Sequence, residues 1–161
     1  MCKKLSEIDA INLIKDSCDE IEPYWKEHIE FWDEDDERGY YNDMSVFAHY
    51  VVDQLSKGKT DDFKKIFNAC EYIHKNGSEE VIEVLDLGFI ESILFISSHK
   101  SFGTHAIEPY MGPIALSEYI GLRDAFDKLA QERWESYSPT KKLFLTVRSK
   151  LVNILKYGKN T

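Results

Sequence analysis

Apolar residues recur every three or four positions along most of the chain. Near its start they stand at Ile11, Ile14, Cys18 and Ile21, a spacing that places them on one face of an α-helix. The same spacing recurs in a second stripe, which consists of Phe63, Ile66, Phe67, Cys70 and Ile73. No pair of alternating apolar runs flanks a hairpin turn, so we expect no β-sheet.

Residues typical of turns and caps divide these stripes into short helices. Pro23 suits the first turn of a helix, and Asp43 and Thr60 are predicted N-caps. Gly77 follows Asn76 in a position typical of a helix C-terminus. Gly88 is predicted to be a turn that precedes the next helix.

These boundaries predict an all-α fold. We expect about seven to nine short antiparallel helices, joined by short turns and stacked in α/α layers. The helix from Phe89 to Ser98 is apolar nearly all round, which predicts a central, buried position. The stretch from Ser101 to Pro113 contains two glycines and two prolines and is the longest predicted loop. The 161 residues fit a single domain, 1–161.

The net charge of −9 is unevenly distributed. The window from Asp19 to Asp43 holds eleven acids and two bases, also −9, so the rest of the chain sums to zero. The acidic segment, Asp33 to Glu37, is five acids in a row, and the last 26 residues carry six bases and no acid. A concentrated acidic patch attracts a basic partner and repels nucleic acid and anionic membrane, so we expect neither of the latter as a partner.

The apolar runs and the cysteines bear on localisation. No run approaches the roughly 20 apolar residues that span a bilayer, and the first residues do not form a secretory signal. Three cysteines without paired spacing suit a reducing compartment. We therefore expect a cytoplasmic protein.

Glu71 and His74 have the Glu-x-x-His spacing of di-iron helical bundles. Such a site needs two of these motifs and two further glutamates, and the sequence contains one motif. Because His74 falls within the second apolar stripe, it is predicted to be a hydrogen-bonded core histidine. No metal and no cofactor are expected.

Glu91 is the only charged residue between Leu87 and Ser98, on the helix predicted to be central. A carboxylate in such a place must be hydrogen-bonded or paired, or its pKa rises. The structural interpretation is that Glu91 caps a neighbouring helix or pairs with an arginine such as Arg123. The alternative is that it acts as a general acid or base.

Three stretches carry a resemblance to a known family: Phe63 to Glu71, Leu87 to Ser92, and Tyr110 to Pro113. Together they resemble small bacterial helical domains of unassigned function, which share a helix of the form F..iE, a GFlE turn and helix, and a later lGP. The resemblance covers roughly Asp43 to Phe126. The residues predicted to be structural or pocket-forming are Glu71, His74, Gly88, Phe89, Glu91, Gly112 and Pro113.

Proteins of this size, acidity and helical build are similar to the immunity proteins of contact-dependent growth inhibition and other polymorphic toxin systems. The resemblance implies an inhibitor that binds a toxin domain, often a basic nuclease, and occludes its active site. The acidic segment lies outside the matched part, so its role in binding is inferred from charge alone. The predicted partner-binding residues are Glu30, Trp32, Asp33, Glu34, Asp35, Asp36, Glu37, Tyr40 and Tyr41.

Two alternatives from other functional classes stay open. One is a helical adaptor that binds an unrelated protein. The other is an enzyme that uses Glu71, Glu91 or His74 in an interhelical pocket. The sequence also leaves the oligomeric state open, because it contains no heptad seam.

Overall fold

A computed structural model describes residues 4–32, 39–143 and 145–146, and within them it confirms the predicted all-α fold. The α-helices are α1 (Glu7–Ser17), α2 (Glu22–Phe31), α3 (Tyr40–Ser56), α4 (Phe63–Asn76), α5 (Glu79–Leu85), α6 (Glu91–Ser98) and α7 (Pro113–Glu135). Residues 139–143 and 145–146 are also helical. The chain divides into two compact units, Met1–Leu122 and Arg123–Thr161.

Helix α3 is the centre of the first unit. Helices α1, α2, α5 and α6 all pack against it, and its Phe47 and Val51 are fully buried. The four residues of the first predicted stripe, Ile11, Ile14, Cys18 and Ile21, are buried as expected. The prediction that the segment from Phe89 to Ser98 is central and buried holds in part: Phe89, Ile90 and Ile93 are fully buried, but Phe95 is 59% exposed on an outer face.

Two predicted N-caps are also wrong. Helix α3 begins at Tyr40 and is preceded by Gly39, so Asp43 lies inside its first turn, where it is buried. Helix α4 begins at Phe63, after Asp62 rather than Thr60. The side chain of Asp43 contacts His28 on α2 instead of capping its own helix.

The predicted break in the helix at Gly88 is also wrong. It lies in a π-helical turn, Asp86–Ile90, that joins α5 to α6 without a break in the helix. A Cβ at position 88 would lie 2.7 Å from the Cβ of Met44 and 3.1 Å from the carbonyl oxygen of Tyr41. Glycine is therefore needed here for the close approach of α3.

The predicted loop from Ser101 to Pro113 is partly helical. Thr104–Tyr110 forms a 3₁₀-helix, within which Ile107 is fully buried. Both glycines and Pro113 lie outside this 3₁₀-helix, and only Pro109 lies within it. The segment packs against α4 and α6 and leads into α7.

Candidate partner-binding surface

Two side-chain contacts hold α2 against α3. The Nε2 atom of His28 lies 2.8 Å from Oδ1 of the buried Asp43. Trp25 stacks on Phe47, with ring centroids 5.6 Å apart and planes 6° from parallel. Because the chain leaves α2 at Phe31 and re-enters a helix at Tyr40, these contacts fix the two helix ends that flank the acidic segment.

Exposed aromatic residues stand at both of these ends. Phe31 is 79% exposed, Tyr40 is 40% exposed and Tyr41 is 43% exposed, whereas Trp32 is half-buried. Four predicted partner-binding residues lie here in the described structure: Glu30, Trp32, Tyr40 and Tyr41. The other five, Asp33, Glu34, Asp35, Asp36 and Glu37, lie outside the described residues. Aromatic side chains are enriched among the residues that dominate interfaces.

Phe31 is a residue that the sequence analysis missed. It lies one step outside the apolar stripe of Trp25, Ile29 and Trp32, so the helical pattern did not select it. Its position close to the acidic segment could have indicated that this large apolar side chain is exposed.

Lysines pair with much of the remaining acidic window. Asp19 binds Lys65 at 2.8 Å and Glu20 binds Lys59 at 2.9 Å. Further pairs within the described residues are Glu22 with Lys15 and Glu30 with Lys26. The lysines at positions 59 and 65 come from outside the window, so a charge count along the sequence could not reveal this compensation. The acidic segment is therefore the part of the window on which the predicted acidic surface depends.

A cavity of about 160 Å³ lies where the chain passes from α1 to α2. Its lining residues are Asp19, Glu20, Tyr50, Gln54, Lys59, Asp61 and Asp62. The hydroxyl of Tyr50 donates to Asp62, which also accepts the backbone N–H of Asp19 at 3.2 Å. Burial raises the pKa of Tyr50, and the hydrogen bond to Asp62 raises it further.

Gln54 is the least expected residue of this cavity. It is only 3% exposed, and its Nε2 donates to Oε2 of Glu20 at 3.5 Å. Its Oε1 is buried and accepts no hydrogen bond from the described part of the chain. Gln54 also lines an adjoining cavity of about 620 Å³ beside Pro23, Tyr24 and Glu27.

Glu71 caps the N-terminus of α7. Its Oε1 accepts the backbone N–H groups of Ile114 at 2.8 Å and of Ala115 at 3.0 Å. These are donors that the first turn of a helix leaves without an intrahelical partner. Pro113 is the first residue of α7. Glu71 is thus a structural carboxylate.

His74, which lies on α4 with Glu71, faces a different element. Its Nδ1 lies 2.9 Å from the carbonyl oxygen of Cys70, and its Nε2 lies 2.8 Å from Oδ1 of Asp86 in the π-helical turn. The prediction of a hydrogen-bonded core histidine is confirmed. Burial lowers the pKa of His74, but the hydrogen bond and the charge of Asp86 outweigh it, so the pKa is raised overall.

The Glu-x-x-His motif does not assemble a metal centre in the described residues, which hold no group of three or more histidine, cysteine, aspartate and glutamate side chains suited to a metal ion.

Nearby, Phe89 is fully buried and contacts the ring of Phe67 at 6.2 Å between centroids. These motif residues contribute to the core and its caps.

Glu91 is half-buried on the outer side of α6, where it lines a groove of about 270 Å³ with Leu87, Ser92, Phe95 and Ile96. The predicted cap of a neighbouring helix is made by Glu71 instead. The buried residues of α6 are Ile93, Leu94 and Ser97, and Glu91 is not among them.

The fold and this surface define an all-α protein with an aromatic-flanked acidic segment. The chain belongs to the family described as a domain of unknown function (DUF7674), whose model matches residues 11–127. The family is thus one of unassigned function, as expected, and the match is wider than the range 43–126 that the resemblance covered. It includes the acidic segment, which the sequence analysis placed outside. The chain is not detectably similar to any curated protein or solved structure.

In the described ranges, none of the helices is both long enough and apolar enough to cross a membrane.

Proposed function

We propose that the protein is an immunity protein that binds a basic toxin domain, such as a nuclease, and occludes its active site. The binding surface consists of the acidic segment and the flanking residues Phe31, Tyr40 and Tyr41. The observation that carries the proposal is the exposure of these aromatic residues at two helix ends that the contact between His28 and Asp43 holds together.

The chemistry of a nuclease matches this surface. A cleft that binds a polyanion is lined by lysine and arginine, because it must neutralise phosphates. Five consecutive carboxylates offer the same charge at close spacing, while the exposed rings offer apolar area for anchoring. In such an interface the charges accelerate encounter and set orientation, and the aromatic residues slow dissociation.

The positions of the candidate catalytic residues also favour a binding role. Glu71 uses Oε1 to cap α7, and both ring nitrogens of His74 are engaged by Cys70 and Asp86. These groups stabilise the fold through contacts that a reacting group would have to break. The alternative in which they perform catalysis is therefore less well supported.

The test is to neutralise the acidic segment by the combined substitutions Asp33→Asn, Glu34→Gln, Asp35→Asn, Asp36→Asn and Glu37→Gln. We expect association with the toxin domain encoded beside the gene to slow by about tenfold or more, and the salt dependence of association to flatten. A matched control neutralises five exposed acids elsewhere: Glu79, Glu118, Asp124, Asp127 and Glu132. The proposal is wrong if both variants associate like the parent protein.

A toxin activity assay separates the proposal from the adaptor alternative. An immunity protein abolishes the activity of its toxin at stoichiometric concentration, and the neutralised variant should require a higher concentration. An adaptor would bind without inhibiting. Binding that leaves toxin activity intact therefore contradicts the proposal.

A further inference from the structure

The cavity beside Gln54 contains a buried acceptor without a donor. The Oε1 of Gln54 accepts no hydrogen bond among the described residues, although the residue is only 3% exposed. Buried polar atoms are normally hydrogen-bonded, because water can no longer satisfy them. Gln54 lies in the wall of both adjoining cavities, so a small rotation of its side chain would present Oε1 to a donor that entered there.

The walls of the cavity are negatively charged. Asp19, Glu20, Asp61 and Asp62 contribute four carboxylates; Lys65 pairs with Asp19 and Lys59 with Glu20, which leaves Asp61 and Asp62 as the net negative charge. The adjoining cavity adds Glu22 and Glu27 with one lysine, Lys57. A cationic donor therefore suits both the charge and the free acceptor.

The arrangement fits a guanidinium group better than a metal ion. In the described structure no group of three or more histidine, cysteine, aspartate and glutamate side chains could hold a metal ion. A guanidinium group is planar and carries five N–H donors in a fixed fork, so it reaches acceptors that are too far apart for one small ion. A lysine of this chain already binds each of Glu20 and Asp19.

We propose that this cavity receives the guanidinium group of an arginine side chain from a basic protein partner, with Gln54 Oε1 and the carboxylates of Asp61 and Asp62 as acceptors. This inference rests on the proposed function, since a toxin domain would supply the arginine. The adjoining cavity, which runs beside Pro23, Tyr24 and Glu27 on α2, gives room for the backbone that carries it.

The test titrates ¹⁵N-labelled protein with N-acetyl-arginine N-methylamide, while NMR follows the side-chain amide of Gln54 and the backbone amides of Asp61 and Asp62, which remain observable in the Gln54→Leu variant. We expect a saturable shift of this signal, and binding at least about tenfold tighter than that of N-acetyl-lysine N-methylamide. Gln54→Leu should abolish selective binding, whereas Gln131→Leu, a control at an exposed glutamine of α7, should not. Absence of a saturable shift, or equal binding of the two probes, overturns the inference.

Two further arms keep the result decisive. If Gln54→Leu does not fold, the exposed Asp61→Asn should weaken binding of the arginine probe severalfold, and an unchanged affinity overturns the inference. Tighter binding of free L-arginine than of the capped probe would assign the cavity to an amino acid instead of a protein side chain. Neither titration involves a toxin or the acidic segment, so this inference can fail while the proposed function stands.

Discussion

Gly112 lies against Glu71 so closely that a Cβ at position 112 would stand 2.5 Å from Cγ of Glu71. Glu71 reaches past this glycine to cap α7 at Ile114 and Ala115. Two motifs that lie about forty residues apart in the sequence therefore form one contact. The absence of a side chain at position 112 is what allows the carboxylate to reach the helix.

We expect Glu71→Ala to lower the free energy of unfolding by about 2 kcal/mol, because it removes the acceptor for two backbone N–H groups. Glu71→Gln keeps an oxygen at the same position and should lose less. Urea unfolding followed by far-UV circular dichroism measures both. Equal losses in the two variants would mean that the negative charge, and not the accepting oxygen, stabilises α7.

Gly112→Ala should destabilise the protein by about 1–3 kcal/mol, because the new methyl group forces Glu71 out of its capping position. Gly121→Ala, inside α7, is the control glycine substitution, since nothing lies within 4 Å of a Cβ built there. Alanine is about 1 kcal/mol more favourable than glycine inside a helix, so this control should be neutral or stabilising. Thermal unfolding of both variants provides the comparison, and a similar loss in both would contradict the close contact.

The pair of His74 and Asp86 should make stability depend on pH. The pKa of His74 is raised in the folded protein, so its contribution is complete below the unfolded pKa of about 6.5 and is lost as pH rises through the folded pKa. His74→Gln should thus be most destabilising at about pH 5.5 and less so at pH 8.5.

Urea unfolding of His74→Gln and the parent protein at several pH values checks this expectation. The pKa of His49 is lowered by burial and by the charge of Lys100, so His49 contributes in the opposite direction. Because both proteins contain His49, the difference between them isolates His74. A difference that grows with pH would contradict the assignment.

The helical class of the fold and the first apolar stripe could be predicted from the sequence because both depend on local periodicity. Ile11 and Ile14 recur with the period of a helix, and the structure buries them. Gly88 could not be interpreted correctly in the same way. Glycine is required at position 88 because Met44 of another helix approaches closely. A pattern along one helix contains no information about that neighbour.

The candidate sites show the same division. One interpretation of Glu91 from the sequence was that it caps a neighbouring helix, but the carboxylate that caps α7 is Glu71, because only the fold determines which face is covered. It also counted Asp19 and Glu20 as free charges, although Lys65 and Lys59 lie beside them in the structure. Gln54 gave no signal, since an unsatisfied amide oxygen is a property of the surrounding fold.

The π-helical turn at Asp86–Ile90 determines the directions in which the side chains of α6 point. An extra residue within a helix offsets the following side chains by about 100° relative to an uninterrupted α-helix. Deleting one residue from this turn would therefore rotate α6 about its own axis, taking Glu91 and Phe95 away from their outward positions and bringing other residues there. The number of residues in this turn, and not only their identity, determines which surface the helix presents to a partner.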